Sequence, residues 1–404
     1  MKKRDVKVAI IGGGASGLIC ALKLSDAGLK NIKIFERNDR LGKKLSSTGN
    51  GQGNITNLNM GIEHYCSSGL QKAKIVLEEF DEKSLISYFT ELGGCFVSDD
   101  RGRVYPSSYQ AASVTDLLRF AVQDKNICFC CNEYIKVVSI SKDQFRICSE
   151  KSEYFFDYVV VCTGGQASKH FGTDGNGYEI AKKFGHSITR LRPTLVQLRA
   201  EKQKIKGLKG VKCNCKVKLQ SQANRLFCGD LLFTDYGVSG DVVFKLSTYA
   251  KENDVAIIDF LPQILQNDLQ NILICKMNKY PEMAAENYLR CIINSALARL
   301  ILNIMKINPA APCKTITDVQ GLVRNIKEFR LGLEGGLGFD TAQVTQGGIL
   351  MSEVDEYLMS NFRKNLFFAG EILDVDGECG GYNLQWAFSS GTRCAQGIIR
   401  QVEL

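Results

Sequence analysis

The chain has 404 residues, of which 45% are apolar and 23% charged, with 6 Pro and a formal net charge of +8. This composition is typical of a folded globular protein, and the length predicts two or three domains. Lys and Arg are scattered, with the nearest approach to a run at Lys202–Lys209, which argues against nucleic acid as the partner. No segment reaches the roughly 18 apolar residues that a membrane span needs, so no membrane partner is expected.

The sequence contains 16 Cys, but the pattern does not favour disulfides or a metal site. The start "MKKRDVKVAIIGGGASG" differs from a signal peptide because glycines interrupt its apolar run. The CxxC spacing occurs at Cys128–Cys131, and no second pair completes a four-ligand site. We therefore expect reduced thiols that pack in the interior, no bound metal and a cytoplasmic location.

The N-terminal stretch "VKVAIIGGGASGLICALKL" predicts a dinucleotide site. A short apolar strand leads into Gly12-x-Gly14-x-x-Gly17 and then a helical pattern, and a second strand, "IKIFE", ends in Glu36. In this arrangement the glycines permit a tight turn and close approach of a pyrophosphate, and the acidic residue accepts hydrogen bonds from a ribose. The predicted contacts are Gly12, Gly14, Ala15, Ser16, Gly17, Glu36 and Arg37.

Two further segments of the first half are candidate cofactor contacts. The loop "RNDRLGKKLSSTGNGQGNITN" (37–57) is long and rich in Gly, Asn, Ser and Thr, which is typical of a functional loop or of a mobile surface loop. The stretch "DYVVVCTGG" reads as an inner strand that follows a small β-meander (126–156) and ends in a turn near the pyrophosphate. The predicted contacts in these segments are Lys44, Ser47, Gly49, Asn50, Gly51, Asn54, Ile135, Thr163, Gly164 and Gly165.

The C-terminal part contributes a second helix start. A buried strand "LFFA" stops at Gly370-Glu371, and a helix is predicted to begin near Asn383 after a glycine-rich loop. Such a helix start, aimed at the pyrimidine edge of a flavin, stabilises negative charge on the reduced ring. The alternative is a helix that only closes the domain. The predicted contacts are Gly370, Glu371, Gly381, Asn383, Leu384 and Gln385.

These motifs resemble the BaiN-like (YhiN-like) FAD-dependent oxidoreductases, which are also labelled aminoacetone-oxidase-type flavoproteins. The resemblance rests on stretches such as "IIGGGASGL", "GRVYPSSYQAASV", "LLFTDYGVSG", "TQGGI" and "NLFFAGEILDVDGECGGYNLQWAFSSG". The sequence departs from the family pattern in two places. Gln52-Gly53 stands where the family has a basic residue and Cys, and Asp235 stands where it has His.

The resemblance implies an α/β fold with a Rossmann-like FAD-binding domain built from both chain ends, interrupted by a β-barrel-like domain and a helical subdomain. Short alternating runs after Pro193 and a helical pattern from about Ile264 to Ile307 agree with this division. The expected boundaries are 1–192 and 346–404 for the FAD-binding domain, 193–263 and 326–345 for the barrel, and 264–325 for the helical subdomain. No second GxGxxG opens a βαβ unit, so a nicotinamide would have to reach the flavin directly.

The resemblance further implies a reductase that passes hydride from NAD(P)H through FAD to the activated C=C of an enone, such as a 3-oxo-Δ4 or Δ6 bile acid. The alternatives are a flavin amine oxidase that uses O2, an RNA-modifying or RNA-binding flavoprotein, and a non-catalytic FAD sensor. Two loops offer candidate catalytic side chains for a small-molecule substrate. They are Arg103 and Tyr105 in "RGRVYPSSY", and Asp235 and Tyr236 in "FTDYGVSG". We interpret His170 and His186 as structural, and the oligomeric state is left open.

Overall fold

A computed structural model describes residues 5–403. The helices are α1 Ala15–Asp26, α2 Leu70–Glu79, α3 Glu82–Glu91, α4 Ala111–Asp124, α5 Asn176–Lys183, α6 Asp241–Ser247, α7 Gln266–Lys279, α8 Ala285–Arg290, α9 Ser295–Ile304, α10 Val319–Lys327 and α11 Tyr382–Glu403. The strands are β1 Val8–Ile11, β2 Ile32–Phe35, β3 Thr56–Asn57, β4 Tyr65–Ser67, β5 Phe96–Ser98, β6 Arg103–Pro106, β7 Cys128–Cys130, β8 Ile135–Ser141, β9 Gln144–Ser149, β10 Glu153–Phe156, β11 Tyr158–Val161, β12 Arg192–Thr194, β13 Leu198–Ala200, β14 Lys212–Leu219, β15 Gln222–Phe233, β16 Gly237–Ser239, β17 Val255–Asp259, β18 Phe329–Gly336, β19 Val344–Gln346, β20 Leu366–Phe368 and β21 Val375–Gly377.

The chain divides into two compact units. The first unit contains the chain up to Pro193 together with the part from Gln343 onward, and the second contains Thr194–Ala342. The first unit therefore joins both chain ends, and the segment predicted as a helical subdomain lies in the same unit as the barrel strands.

A five-stranded parallel sheet in the order β20-β11-β1-β2-β7 forms the centre of the first unit. All four residues of β1 and of β11 are buried, as in a parallel sheet with both faces covered. On one face the ring of Phe35 in β2 lies 5.0 Å from the ring of Tyr154, which belongs to the three-stranded antiparallel sheet β10-β9-β8. Parallel strands end at the same edge of the sheet. The turns that follow β1, β2, β11 and β20 therefore lie along one edge, which is where the candidate cofactor contacts are found.

Helices α1 and α11 pack closely against each other in this unit. A Cβ on Gly391 of α11 would lie 2.3 Å from the carbonyl oxygen of Ser16 in α1, so only glycine fits there. Trp386 of α11 is 1% exposed, and its indole N–H donates to the carbonyl of Gly370 at 3.1 Å. The second chain end is thereby packed against the start of the first helix.

The second unit is built around a closed six-stranded barrel in the order β13-β16-β15-β14-β17-β18. Its strands alternate between buried and exposed positions, as in β14 and β17. Helices α6 to α10 complete this unit, and α10 starts at Asp318, whose carboxylate accepts from the Gly321 N–H at 2.7 Å. The predicted fold class, a Rossmann-type α/β domain from both chain ends with an inserted barrel and helices, is confirmed.

Candidate cofactor site and active site

The turn between β1 and α1 is shaped by glycine. Gly12 has φ +110°, and a Cβ there would lie 2.3 Å from the carbonyl oxygen of Cys162, at the end of β11. A Cβ on Gly17 would lie 2.0 Å from the carbonyl oxygen of Gly12. The turn after β1 and the turn Thr163-Gly164-Gly165 after β11 are therefore neighbours, and any side chain at Gly12 would separate them.

The start of α1 is open toward the loop edge. Gly14 is the N-cap residue and makes no side-chain capping bond, and no heavy atom lies within 4 Å of a Cβ built on it. The first-turn N–H groups of a helix have no partner inside the helix. Ala15 and Ser16 belong to this turn, so the helix start fits an anionic pyrophosphate both in space and in charge.

Glu36, at the end of β2, is only 7% exposed and accepts hydrogen bonds from three N–H groups. Its Oε2 accepts from the Gly13 N–H at 2.9 Å, and its Oε1 accepts from the backbone and side-chain N–H groups of Asn38 at 2.8 and 2.7 Å. A carboxylate has about four acceptor positions. Glu36 is thus oriented by the turn after β1 and keeps acceptor capacity for ribose hydroxyls.

Arg37 and Ile135 are held by neighbouring protein groups. The Arg37 guanidinium forms an ion pair with Asp174 at 2.7 Å and lies 4.4 Å from the ring centre of Tyr134. Ile135 is buried at the start of β8, and its carbonyl accepts from the side chain of Asn176 at 3.3 Å. Their predicted contact with the cofactor stays a prediction.

Lys44 and Glu371 connect the two chain ends. The Lys44 Nζ lies 2.8 Å from Glu371 Oε2, and Glu371 Oε1 accepts from the Thr345 N–H at 2.8 Å. The Thr345 hydroxyl in turn accepts from the N–H groups of Gln166 and Ala167, just beyond Gly165. Sequence reasoning missed Thr345, because its partners lie far from it in the chain.

The loop that follows Lys44 turns back through left-handed backbone. Asn50 is exposed and has φ +55°, between Gly49 and Gly51, which also have positive φ. The Ser47 hydroxyl donates to the Lys44 carbonyl at 3.0 Å. Asn54 is buried, and its side chain donates to the carbonyls of Thr56 and Val104 at 2.8 and 3.1 Å. The side chain of Asn54 thus fixes the loop, and the exposed backbone of 49–51 is available to a ligand.

The start of α11 is fixed by its own side chains. A Cβ on Gly381, which has φ +100°, would lie 2.4 Å from the Thr56 carbonyl oxygen. Asn383 holds the end of β21, because its side chain accepts from the Gly377 N–H at 2.9 Å and donates to the Gly377 carbonyl at 2.7 Å. Gln385 is 1% exposed and bonds to Thr56, Phe80 and Ser389.

Leu384 packs against the hydrophobic core of the first unit. The backbone N–H and carbonyl of Gly370 are both hydrogen-bonded to side chains of α11. The Gly370 N–H donates to the Ser390 hydroxyl at 2.9 Å. The side chains of Asn383 and Gln385 are thus occupied within the protein. What this end of α11 can offer a ligand is backbone N–H groups and the dipole of the helix start.

Two of the four predicted catalytic residues belong to the first unit and two to the second. Arg103 and Tyr105 lie on β6, where Arg103 Nη2 pairs with Asp99 at 2.6 Å and burial raises the pKa of Tyr105. Asp235 and Tyr236 lie between β15 and β16 of the second unit. Asp235 is exposed, and the hydrogen bond from Lys209 holds its pKa below the usual range. Their catalytic roles stay predictions.

His186 and His170, which we interpret from the sequence as structural, each contact another side chain of the protein. His186 Nε2 lies 2.6 Å from the Ser360 hydroxyl, and burial lowers the pKa of His186 against the opposing effect of Glu353. The ring of His170 lies 4.0 Å from the ring of Phe171. Burial raises the pKa of the Cys162 thiol to about 12, which suits a small packing residue.

Asp376 in β21 is a polar residue that sequence reasoning missed. It is 2% exposed, and its Oδ2 accepts from the Gln346 Nε2 at 3.0 Å. The detectable signal was an acidic residue inside the apolar run "EILDVDG" just before the predicted cofactor helix.

Among residues 5–403 there is no group of three His, Cys, Asp or Glu side chains arranged for a metal ion. Within the same range no helix has both the length and the apolar character to cross a bilayer.

The HI0933-like protein Rossmann domain family matches residues 6–397. The chain is 33% identical over 398 residues to the 3-dehydro-bile acid delta(4,6)-reductase of Clostridium scindens, covering 95% of this chain and 97% of that protein. It is 28% identical over 398 residues to the ribosomal RNA dihydrouridine synthase of Escherichia coli, covering 96% and 97%.

The solved structure of 3-ketosteroid delta1-dehydrogenase from Sterolibacterium denitrificans in complex with 1,4-androstadiene-3,17-dione is similar in fold, with a TM-score of 0.51 and 10% identity over 98% of this chain and 100% of that chain. The family resemblance predicted from the motifs is confirmed, and with it the assignment as an FAD-dependent oxidoreductase. The chain belongs to the HI0933-like Rossmann family.

Proposed function

We propose that this protein is an FAD-dependent reductase that transfers hydride from NAD(P)H to a C=C bond conjugated with a carbonyl, in a small enone of the steroid or bile-acid type. The observation that carries the proposal is the 33% identity to a 3-dehydro-bile acid delta(4,6)-reductase over nearly the full length of both chains. The similarity includes both halves of the first unit, so it extends beyond a shared nucleotide motif.

We propose that the first unit binds FAD. Bound FAD supplies the two-electron chemistry, accepting a hydride and returning it. The open start of α1 binds the pyrophosphate, and Glu36 accepts from the ribose. Lys44 and Glu371 would join the two chain ends at the cofactor site. The start of α11 stabilises negative charge at the pyrimidine edge.

Two anaerobic half-reactions test this proposal. The holoprotein is mixed with NADH or NADPH and the flavin absorbance is followed, and the bleached protein is then mixed with 3-oxo-Δ4 and Δ6 steroids, quinones or O2. We expect one nicotinamide to bleach the flavin and the enones to restore it. Failure of both nicotinamides to bleach the flavin would contradict the reductase. Reoxidation by O2 alone would favour the amine oxidase instead.

A second candidate is the reduction of uracil in RNA. The bond reduced in uracil is also a C=C bond conjugated with a carbonyl. The 28% identity to ribosomal RNA dihydrouridine synthase supports it. So does a lysine-rich segment of the second unit, which carries seven Lys and no Asp or Glu between 202 and 218, most of them exposed. If these lysines bind RNA phosphates, the affinity for RNA should fall steeply as the salt concentration rises.

The two candidates differ in what reoxidises the reduced flavin. Ribosomal RNA from cells that lack the protein is incubated with the reduced holoprotein, and dihydrouridine is measured by nucleoside mass spectrometry. Reoxidation by this RNA but not by steroid enones would select the second candidate. Reoxidation by enones, with no dihydrouridine formed, would select the first.

A further inference from the structure

Three carboxylates lie in the short segment between β20 and the end of β21, and two of them are satisfied. Glu371 pairs with Lys44 and accepts from the Thr345 N–H. Asp374 accepts from the Ser68 N–H at 3.1 Å. Asp376 differs from both, because its one hydrogen bond comes from a neutral side-chain amide.

The positive charge of Arg192 acts on the Asp376 carboxyl through an amide and not by direct contact. The residue is 2% exposed, and its Oδ1 has no hydrogen-bond partner among residues 5–403. The Arg192 guanidinium donates to the Oε1 of Gln346, and Gln346 donates through its Nε2 to Asp376 Oδ2. The cation therefore reaches the carboxyl only through an amide. A buried carboxylate without a paired charge is costly, so such a group retains its proton.

Several charges act on this carboxyl in opposite directions. Burial is the largest effect and raises the pKa of Asp376, as do the charges of Asp374 and Glu371, while the hydrogen bond from Gln346 and the charge of Arg192 lower it. The net result is a pKa of about 7. A proton donor works best when its pKa lies near the working pH.

The position of Asp376 places it beside the proposed flavin site. Gly377, the next residue, is held by the side chain of Asn383 in the first turn of α11. Gln346 is the last residue of β19, one residue from Thr345, which binds Glu371. The amide that donates to the Asp376 carboxyl and the residue that holds its neighbour Gly377 thus both belong to segments that line the loop edge of the central sheet.

We propose that Asp376 is a catalytic proton donor of this reductase, an assignment that rests on the proposed function. Bound FAD would supply the hydride to the β-carbon of the enone, and the C=C electron pair would move to the α-carbon and carbonyl oxygen. The Asp376 O–H bond breaks, and its proton passes to the α-carbon. The product is the saturated ketone with oxidised flavin, and Asp376 is left as a carboxylate that regains a proton from water.

The central test compares Asp376→Asn with Asp374→Asn. Asparagine keeps the shape of a protonated Asp and still accepts from Gln346, but it has no acidic proton. We expect Asp376→Asn to bind FAD and to be bleached by dithionite like the wild type, while flavin reoxidation by enone slows about 100-fold and loses its pH dependence near neutrality. Asp374→Asn keeps that pH dependence, with the inflection moved to lower pH because one neighbouring negative charge is gone.

A second measurement does not depend on turnover. Infrared spectroscopy of the wild type is expected to show the carbonyl band of a buried protonated carboxyl that disappears as the pH rises past neutrality, and Asp376→Asn should lack that band while Asp374→Asn retains it. Absence of a titrating band in the wild type, or enone reoxidation of Asp376→Asn at the wild-type rate, overturns the assignment. If no enone reoxidises the wild-type flavin, the proposed function itself has failed.

Discussion

The two helix starts of the FAD-binding unit differ in what they present. The start of α1 is bare: Gly14 makes no side-chain cap, and the space above it is open. The start of α11 is crowded, with Gly381 against the Thr56 carbonyl and with Asn383 and Gln385 bonded to neighbouring segments. We propose that the first start receives the pyrophosphate and that the second holds one edge of the flavin ring. Substitutions at the two starts should therefore fail in different ways.

The largest expected effect is at the α1 start, in Gly12→Ala. The added Cβ would meet the Cys162 carbonyl and require a left-handed backbone, which together cost about 3 kcal/mol or more. We expect the purified variant to lose its FAD, measured by the flavin absorbance that remains after gel filtration. Gly28→Ala is the control, since Gly28 has φ +85° but no heavy atom within 4 Å of a Cβ. A Gly12→Ala variant that retains FAD like Gly28→Ala would contradict the proposed turn.

At the α11 start, Gln385→Ala removes buried bonds to Thr56, Phe80 and Ser389. We expect the free energy of unfolding in urea to fall by about 2 kcal/mol, because buried polar partners are left unsatisfied. The variant should still retain FAD, since the α1 start is untouched. Gln396→Ala, which loses only a 3.2 Å bond to Arg393, is the matched control. Loss of FAD from Gln385→Ala at full stability would erase the difference between the two starts.

The raised pKa of Asp376 should make the folded protein less stable as the pH rises. Its pKa is raised in the folded protein to about 7, so the folded state holds a proton that the unfolded state releases near pH 4. The wild type should therefore lose stability as the pH rises from 4 to 7, and the loss should level off above pH 7. Asp376→Asn removes this loss. In thermal melts, the melting temperature of the variant should therefore rise relative to that of the wild type as the pH increases over that range. A constant difference between the two across the range would contradict the raised pKa.

The smallest expected effect concerns the link between the chain ends. Lys44→Met leaves Glu371 without its cation in a half-buried place. We expect FAD to bind about tenfold more weakly, which corresponds to about 1.4 kcal/mol. Titration of the apoprotein with FAD measures this, and the double variant Lys44→Met, Glu371→Gln should recover part of the loss if the pair acts through its charges. No recovery would indicate that Lys44 acts on the cofactor alone.

The parts that sequence reasoning could predict are those encoded locally. The turn at Gly12 and the acid at Glu36 follow from a strand, a glycine spacing and a helix that are contiguous in the chain. The barrel and the two-ended domain followed from the family resemblance. Thr345, Gln346 and Asp376 were not predicted, because their partners lie from 26 to 179 residues away and their burial depends on the assembled sheet edge.

Some predicted contacts have a different local role from the one their position indicated. Gln385 and Asn54 are strongly polar residues inside motif stretches, yet their side chains hold backbone carbonyls of neighbouring segments. A sequence pattern identifies such residues as constrained. It does not separate a side chain that binds the ligand from one that shapes the surface around it.

The most direct measurement of the central claim is one anaerobic turnover of the reduced holoprotein with a 3-oxo-Δ4 steroid. The account predicts that the flavin absorbance returns and that one saturated ketone forms for each flavin reoxidised, detected by mass spectrometry. A flavin that stays bleached in the presence of 3-oxo-Δ4 and Δ6 enones, but is reoxidised by O2 or by ribosomal RNA, would contradict it.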